Sequence, residues 1–365
     1  MTSELERALR DAARQPGGLT FRRFMELALY GPGGYYTEAV HIGGAAGDFY
    51  TAAQSPLFAA VIAKYVCACY DEWERPEAVQ IVEFGAGQGE LAAQLLTAVL
   101  RALPPDVHLT YSIVERSERL RSEQQRVLCR HEGLEEGLAA RHVRWGEPLR
   151  ALPTVVIGNE VLDAFPIERV KRSQDGWLQA MVVNQEDGSF VVRWRQAPPE
   201  VARLAARWLP IPVGAIGEVC PDYADFFRAV GQLGPPLKAL FFDYGITQEE
   251  WAAGLRPEGT VRAYARHMLV DALAAPGAQD ITADVHWDHV CASARAAGLH
   301  VRGLTPQGSF LIQHGILEAF EQWQQAAQGE AARLRTVPMA GQLKQLIFPG
   351  GMGERFQVLE CERAE

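Results

Sequence analysis

The chain has 365 residues, 48% apolar and 22% charged, the balance of an ordinary globular protein. That length suffices for one large α/β domain with insertions or for two domains. Acidic residues outnumber basic ones by 45 to 35, a net charge of −10, which sets aside a bare nucleic-acid backbone as partner and suits a cationic one. From the N-terminus, helical periodicity runs from Thr2 to Arg14 and stops at Pro16-Gly17-Gly18. Thr20 is placed to cap a second helix that begins at Phe21. Tyr30 to Tyr36 and Gly43 to Thr51 read as loops, and Ser55 to Trp73 as a helix. Strands are then expected at 79–84, 109–114, 142–145 and 154–157, with helices near 90–102 and 117–131. Such alternation builds a parallel sheet covered on both faces.

The pattern then changes. Residues 166–172, 177–184 and 190–195 alternate like antiparallel strands, with turn signals at Asp175-Gly176 and Asp187-Gly188. Helices near 199–208 and 222–233 complete an insertion, and 237–243 returns as a buried strand. Asp284 is placed to cap a helix reaching Ala297, with closing strands at 299–304 and 356–361. The six cysteines are scattered, and none forms a C-x-x-C pair, so they read as reduced thiols. His286 and His289 are spaced i, i+3, yet no H-E-x-x-H pattern or cysteine pair joins them, and no metal is expected. No long apolar segment is present, so no membrane span is expected, and the location reads as cytoplasmic.

One stretch carries chemistry. Ile81-Val82-Glu83-Phe84 is a β-branched run ending beside an acid, and Gly85-Ala86-Gly87-Gln88-Gly89 follows before a helix-forming run from Glu90. Glycines permit a tight turn and the close approach of a ligand. A dinucleotide fingerprint needs its third glycine at position 90, where Glu90 would repel a pyrophosphate. The G-x-G-x-G turn resembles instead motif I of class I S-adenosylmethionine (SAM) methyltransferases, whose ligand carries no phosphate. Glu115 ends the next strand 26 residues after Gly89, near the roughly 20-residue offset at which an acid reaches ribose hydroxyls. Glu83 would face the ligand's ammonium group. Gly158-Asn159-Glu160-Val161-Leu162-Asp163 follows the fourth strand and puts three polar groups beside a buried run, where capping and turn formation are the competing roles. Asp243-Tyr244-Gly245 follows the fifth strand, and Arg262, Tyr264 and Arg266 would share one face of an extended segment.

Taken together the motifs are similar to those of the MidA-like family of SAM-dependent methyltransferases, which includes mitochondrial protein arginine methyltransferases tied to respiratory complex I assembly. The segments that carry the resemblance are Phe24 to Tyr30 with Gly34-Tyr35-Tyr36, Gly47-Asp48-Phe49-Tyr50-Thr51, Ser55-Pro56-Leu57-Phe58 and Val114-Glu115-Arg116-Ser117. Gly158 to Pro166, Asp280 to Val285 and Thr305 to Leu311 continue in the family order. The Thr51–Pro56 segment is shorter than the family's and lacks its acid, and the tail from Met339 is only loosely similar.

The resemblance implies a class I methyltransferase fold, α/β and doubly wound, with SAM as cofactor and methyl transfer to arginine of a protein, such as a complex I subunit or assembly intermediate. It implies a helical extension with a cofactor-covering loop at 1–78, a SAM-binding core at 79–165 and 237–365, and a substrate-related insertion at 166–236. Asp48 and Thr51 would cover the cofactor, with Glu83, Gly85, Gly87, Gly89, Glu115 and Asn159 holding it. Glu160 and Asp163 are the candidates to orient a guanidinium and take its proton, with Asn159 positioning the acceptor or the methyl group. A non-catalytic SAM-binding assembly factor and a small-molecule methyltransferase stay open as alternatives. The oligomeric state stays open too, a homodimer being one alternative.

Overall fold

The computed structural model describes residues 4–39, 51–131, 134, 137–148, 150–265, 268–326 and 330–364. The chain divides into two compact units, one of Met1–Tyr50, Leu162–Phe227 and Gly245–Ser293, the other of Thr51–Val161, Arg228–Tyr244 and Ala294–Glu365.

The second unit is built on seven strands: β1 (Ala78–Phe84), β2 (His108–Val114), β3 (Val143–Trp145), β4 (Thr154–Asn159), β5 (Leu237–Ile246), β6 (His300–Pro306) and β7 (Phe356–Arg363). They lie in the order β6-β7-β5-β4-β1-β2-β3. The pairs among β1 to β5 are parallel, whereas β7 runs antiparallel to both β5 and β6. This is the Rossmann-like doubly wound arrangement expected of the sequence, with ligands predicted at the strands' carboxyl ends where the order reverses beside β1. Val79 to Glu83 are all buried, the mark of a strand covered on both faces. Helix Pro56–Glu72 and helix Glu90–Ala102 supply apolar cover, and Phe58 meets Phe242 edge to face at 4.9 Å. Three helices near the C-terminus, Gln307–Gln313, Ile316–Ala326 and Glu330–Ile347, complete this unit and were not expected from the sequence.

The first unit holds an antiparallel sheet. Gly176–Asn184 pairs with Glu168–Ser173, with Phe190–Gln196 and with the short strand Leu19–Thr20. Ile216–Val219 adds to the far side of Glu168–Ser173. A smaller antiparallel sheet orders Met268–Val270, Arg262–Ala265 and Asp280–Thr282. This unit therefore groups residues 245–293, expected in the core, with the N-terminal segment. The edge pairing of Leu19 with Val182 and of Thr20 with Met181 joins that segment to the expected insertion. Thr20 does cap helix Phe21–Tyr30, its side chain accepting from the Arg23 amide at 3.1 Å.

Asp284 does not cap the helix that follows, which starts at Trp287. Its buried carboxylate instead pairs with Arg262 and, at 3.7 Å, with Arg256, and its amide donates to the Thr260 hydroxyl at 3.1 Å. A buried carboxylate with two arginines in reach is held by charge, which outweighs an exposed cap.

Candidate functional site

The glycine turn leaves β1 at Phe84, where the Gly85 amide donates to the Val114 carbonyl at 3.1 Å and ties the turn to β2. Gly85, Gly87 and Gly89 all have left-handed backbone, at φ 64°, 53° and 99°. The last is the strictest. A Cβ on Gly89 would lie 3.0 Å from the Gln124 Cα, so both its conformation and its neighbour demand glycine. Helix Glu90–Ala102 starts directly after it, and its N-cap position, Gly89 itself, brings no side chain to the first amides. Glu90 is half-buried there, and burial raises its carboxyl above the ordinary range.

Two acids flank the turn. Glu83 is 2% exposed and accepts a 2.6 Å hydrogen bond from the Tyr111 hydroxyl on β2. Burial pushes its carboxyl up to about 7, against the pull of that hydrogen bond. Glu115, just past β2, accepts from the Ser117 amide at 2.9 Å through Oε1 and from Gln124 Nε2 at 3.2 Å through Oε2. Burial raises it as well, with those two donors working the other way.

At the end of β4 a polar cluster forms. The Thr51 hydroxyl donates to Glu160 Oε1 at 2.6 Å, while Asn159 Nδ2 donates to the same oxygen at 3.0 Å and contacts Thr51 Oγ1 at 3.2 Å. Thr51 is thus placed against the acid. The Glu160 amide donates to the Phe242 carbonyl at 2.8 Å, and its φ of 52° is left-handed for a residue with a long side chain. Such a conformation costs about 1–3 kcal/mol and concentrates at functional sites. Asn159 is buried, and its Oδ1 has no hydrogen-bonding partner among the described residues. A buried amide oxygen without a donor is unfavourable unless a ligand supplies one.

These groups suit SAM. The ligand offers an ammonium group for an ionised Glu83, a ribose diol for Glu115 and donors for an orphaned amide oxygen. It offers no phosphate to oppose Glu83, Glu90 and Glu115.

Asp163 lies in the first unit, buried, where its carbonyl accepts from the Ala283 amide at 3.0 Å. It is an electrostatic neighbour of Tyr36, whose hydroxyl donates to Asp280 Oδ1 at 3.0 Å and whose ring stacks on Tyr30 at 5.4 Å. Burial raises the Tyr36 hydroxyl well above its usual range. Arg262 serves Asp284, as above, and Arg266 and Asp48 lie outside the described residues. His286 binds the Trp208 carbonyl at 2.7 Å, and His289 stacks on the Trp208 ring at 4.7 Å. Both rings are held below the ordinary histidine range by burial.

Three site residues escaped the sequence reading. Tyr111 donates to Glu83 from a segment that reads in sequence only as the next strand. Gln124 bridges Gly87 and Glu115, and Trp145 Nε1 donates to Gln124 Oε1 at 2.9 Å. A signal for Gln124 did exist. Leu120, Gln124 and Leu128 share one face of helix Glu118–Arg130, all three buried, so an amide interrupts an apolar stripe.

The family model described as "Putative S-adenosyl-L-methionine-dependent methyltransferase" matches residues 61–305. A methyl-transferase-type protein of Burkholderia thailandensis, crystallised with S-adenosyl-homocysteine (SAH) bound, superposes with a TM-score of 0.87 at 35% identity, covering 98% of this chain and 92% of its own. The Caenorhabditis elegans protein named "Protein arginine methyltransferase NDUFAF7 homolog, mitochondrial" is 28% identical over 86% of this chain and 77% of its own. Its Mus musculus counterpart is 27% identical over 94% and 80%. These mitochondrial names overturn the cytoplasmic expectation. No described helix is long and apolar enough to cross a membrane, which gives no address.

Proposed function

We propose, from the premise that this chain belongs to the S-adenosyl-L-methionine-dependent methyltransferase family, that it methylates the guanidinium of an arginine in a protein substrate. The names of the curated relatives support the choice of acceptor, and a complex I subunit is the first substrate to try. The observation that carries the reading is the Thr51–Asn159–Glu160 cluster, a strained acid beside an amide oxygen lacking a donor among the described residues, at the end of β4 in the sheet that carries the glycine turn.

When bound, SAM supplies an electrophilic methyl on a good leaving group. The protein's work is alignment and exclusion of water. Glu83 would pair with the ammonium group and Glu115 with the ribose hydroxyls, each carboxylate accepting charge-assisted or paired hydrogen bonds. The glycine turn lets the backbone approach the ligand. Asn159 Oδ1 would accept from the ligand or the acceptor. A guanidinium is a poor nucleophile because its lone pairs are delocalised. Glu160 would hydrogen-bond it, bias its electron density toward the attacking nitrogen and receive the released proton at a carboxylate oxygen. Thr51 fixes the rotamer of Glu160 for that role.

The test incubates proteins of a lysate with methyl-labelled SAM, with and without the enzyme, and identifies the modified residue by mass spectrometry. Enzyme-dependent label on arginine of a protein is the expected result. Label confined to small molecules would replace this reading with a small-molecule methyltransferase, and tight SAH binding with no labelled acceptor would favour a scaffold.

A further inference from the structure

We propose that Gln124 is a positioning residue that sets Glu115 and the glycine turn for the cofactor's ribose. The inference rests on Glu115 being the ribose ligand. Gln124 is fully buried, on helix Glu118–Arg130. Its Nε2 donates to the Gly87 carbonyl at 2.9 Å and to Glu115 Oε2 at 3.2 Å, and its Oε1 accepts from Trp145 Nε1 at 2.9 Å. An indole N–H can only donate, so the amide's orientation is fixed by chemistry. Both amide protons are then committed, one to the turn and one to the acid. With Ser117 holding Oε1, both oxygens of Glu115 are pinned and keep lone pairs for a diol. The backbone at Gln124 is pressed against Gly89 as well, so one residue registers the turn, the acid and β3 together.

A packing residue and a positioning residue differ in what they discriminate. If Gln124 acts through Glu115, its loss should harm binding of a ligand that has ribose hydroxyls and spare one that lacks them. The experiment titrates SAH and its 2′,3′-dideoxy analogue into the parent protein and into Gln124→Leu, Gln124→Glu and Glu115→Ala. Leu keeps the volume but removes both donors. Glu keeps the length and the acceptor for Trp145, yet turns a carboxylate toward Glu115, and it tests the proposal should Leu fail to fold. Gln124→Leu should weaken SAH about tenfold and Gln124→Glu more, with the analogue changed less than about threefold in each. Glu115→Ala should behave likewise. Equal weakening of both ligands by the Gln124 variants, or no weakening of either, overturns the proposal. If Glu115→Ala itself fails to discriminate between the ligands, the ribose assignment fails instead, and the two failures are told apart.

Discussion

At the residue scale, the buried acid Glu83 sets stability against binding. Its carboxyl stands at about 7 in the folded protein against an ordinary 4.5. A folded-state value above the unfolded one means the native state holds a proton that the unfolded chain has lost between those pH values. Stability therefore falls as pH rises through that window, and the penalty is complete above about 7. It is of order a few kcal/mol. Glu83→Gln should raise the melting temperature of the ligand-free protein at pH 8 and leave it nearly unchanged at pH 4.5. The same substitution should weaken SAM, since a neutral amide cannot pair with an ammonium group. In the parent, SAM affinity should drop as pH falls below about 7, as the carboxylate takes up its proton. Melting curves and calorimetric titrations across pH check both halves. A pH-independent affinity would mean that Glu83 does not meet the ammonium group. The acid and its strand position were legible in the sequence. Tyr111, which tempers its charge, was not, because a tyrosine in a β-branched run reads as core.

At the element scale, local pattern made some elements legible and left others hidden. Helices Glu90–Ala102 and Pro199–Trp208 fall where periodicity places them. Ile216–Val219 has four residues, all buried, too few to show a period, and one is glycine. Helix Glu330–Ile347 contains Pro338, which reads as a helix stop in sequence. Asp284 looked like a cap because its buried arginine partners are distant in sequence. Packing of the core sheet gives a direct test. Phe242 on β5 is fully buried and meets Phe58 at 4.9 Å and Phe310 at 5.5 Å, both edge to face. Phe242→Ala should cost about 3–5 kcal/mol, read as a lower urea midpoint. A loss below about 1 kcal/mol would mean that the helices and strand do not share one core as described.

At the scale of the whole molecule, the family resemblance and the fold agree with the motif spacing, and the cofactor follows from all three. The chain's organisation was less legible. Residues 245–293 fold with the N-terminal segment, and contacts such as Tyr36 with Asp280 span too much sequence for local patterning to reveal. Binding to the folded state alone should stabilise it by about 2.7 kcal/mol at a hundredfold excess of SAH over its Kd. A matching rise in melting temperature is expected with SAM or SAH, and none with NAD, for which Glu90 stands in place of the needed glycine. A shift with NAD and none with SAH would reverse the cofactor assignment.

The measurement that bears most directly on arginine methylation separates cofactor binding from transfer in one variant. Once the acceptor protein is identified, single-turnover methyl transfer is compared between the parent and Glu160→Gln, with SAH affinity measured on the same preparations. The amide can still accept from Thr51 but cannot balance a guanidinium's charge or take its proton equally well. Transfer should fall by about 10²–10⁴-fold, the scale of a lost general base, while SAH affinity stays within about twofold. Transfer at the parent's rate, or loss of SAH binding along with it, would contradict the role given to Glu160.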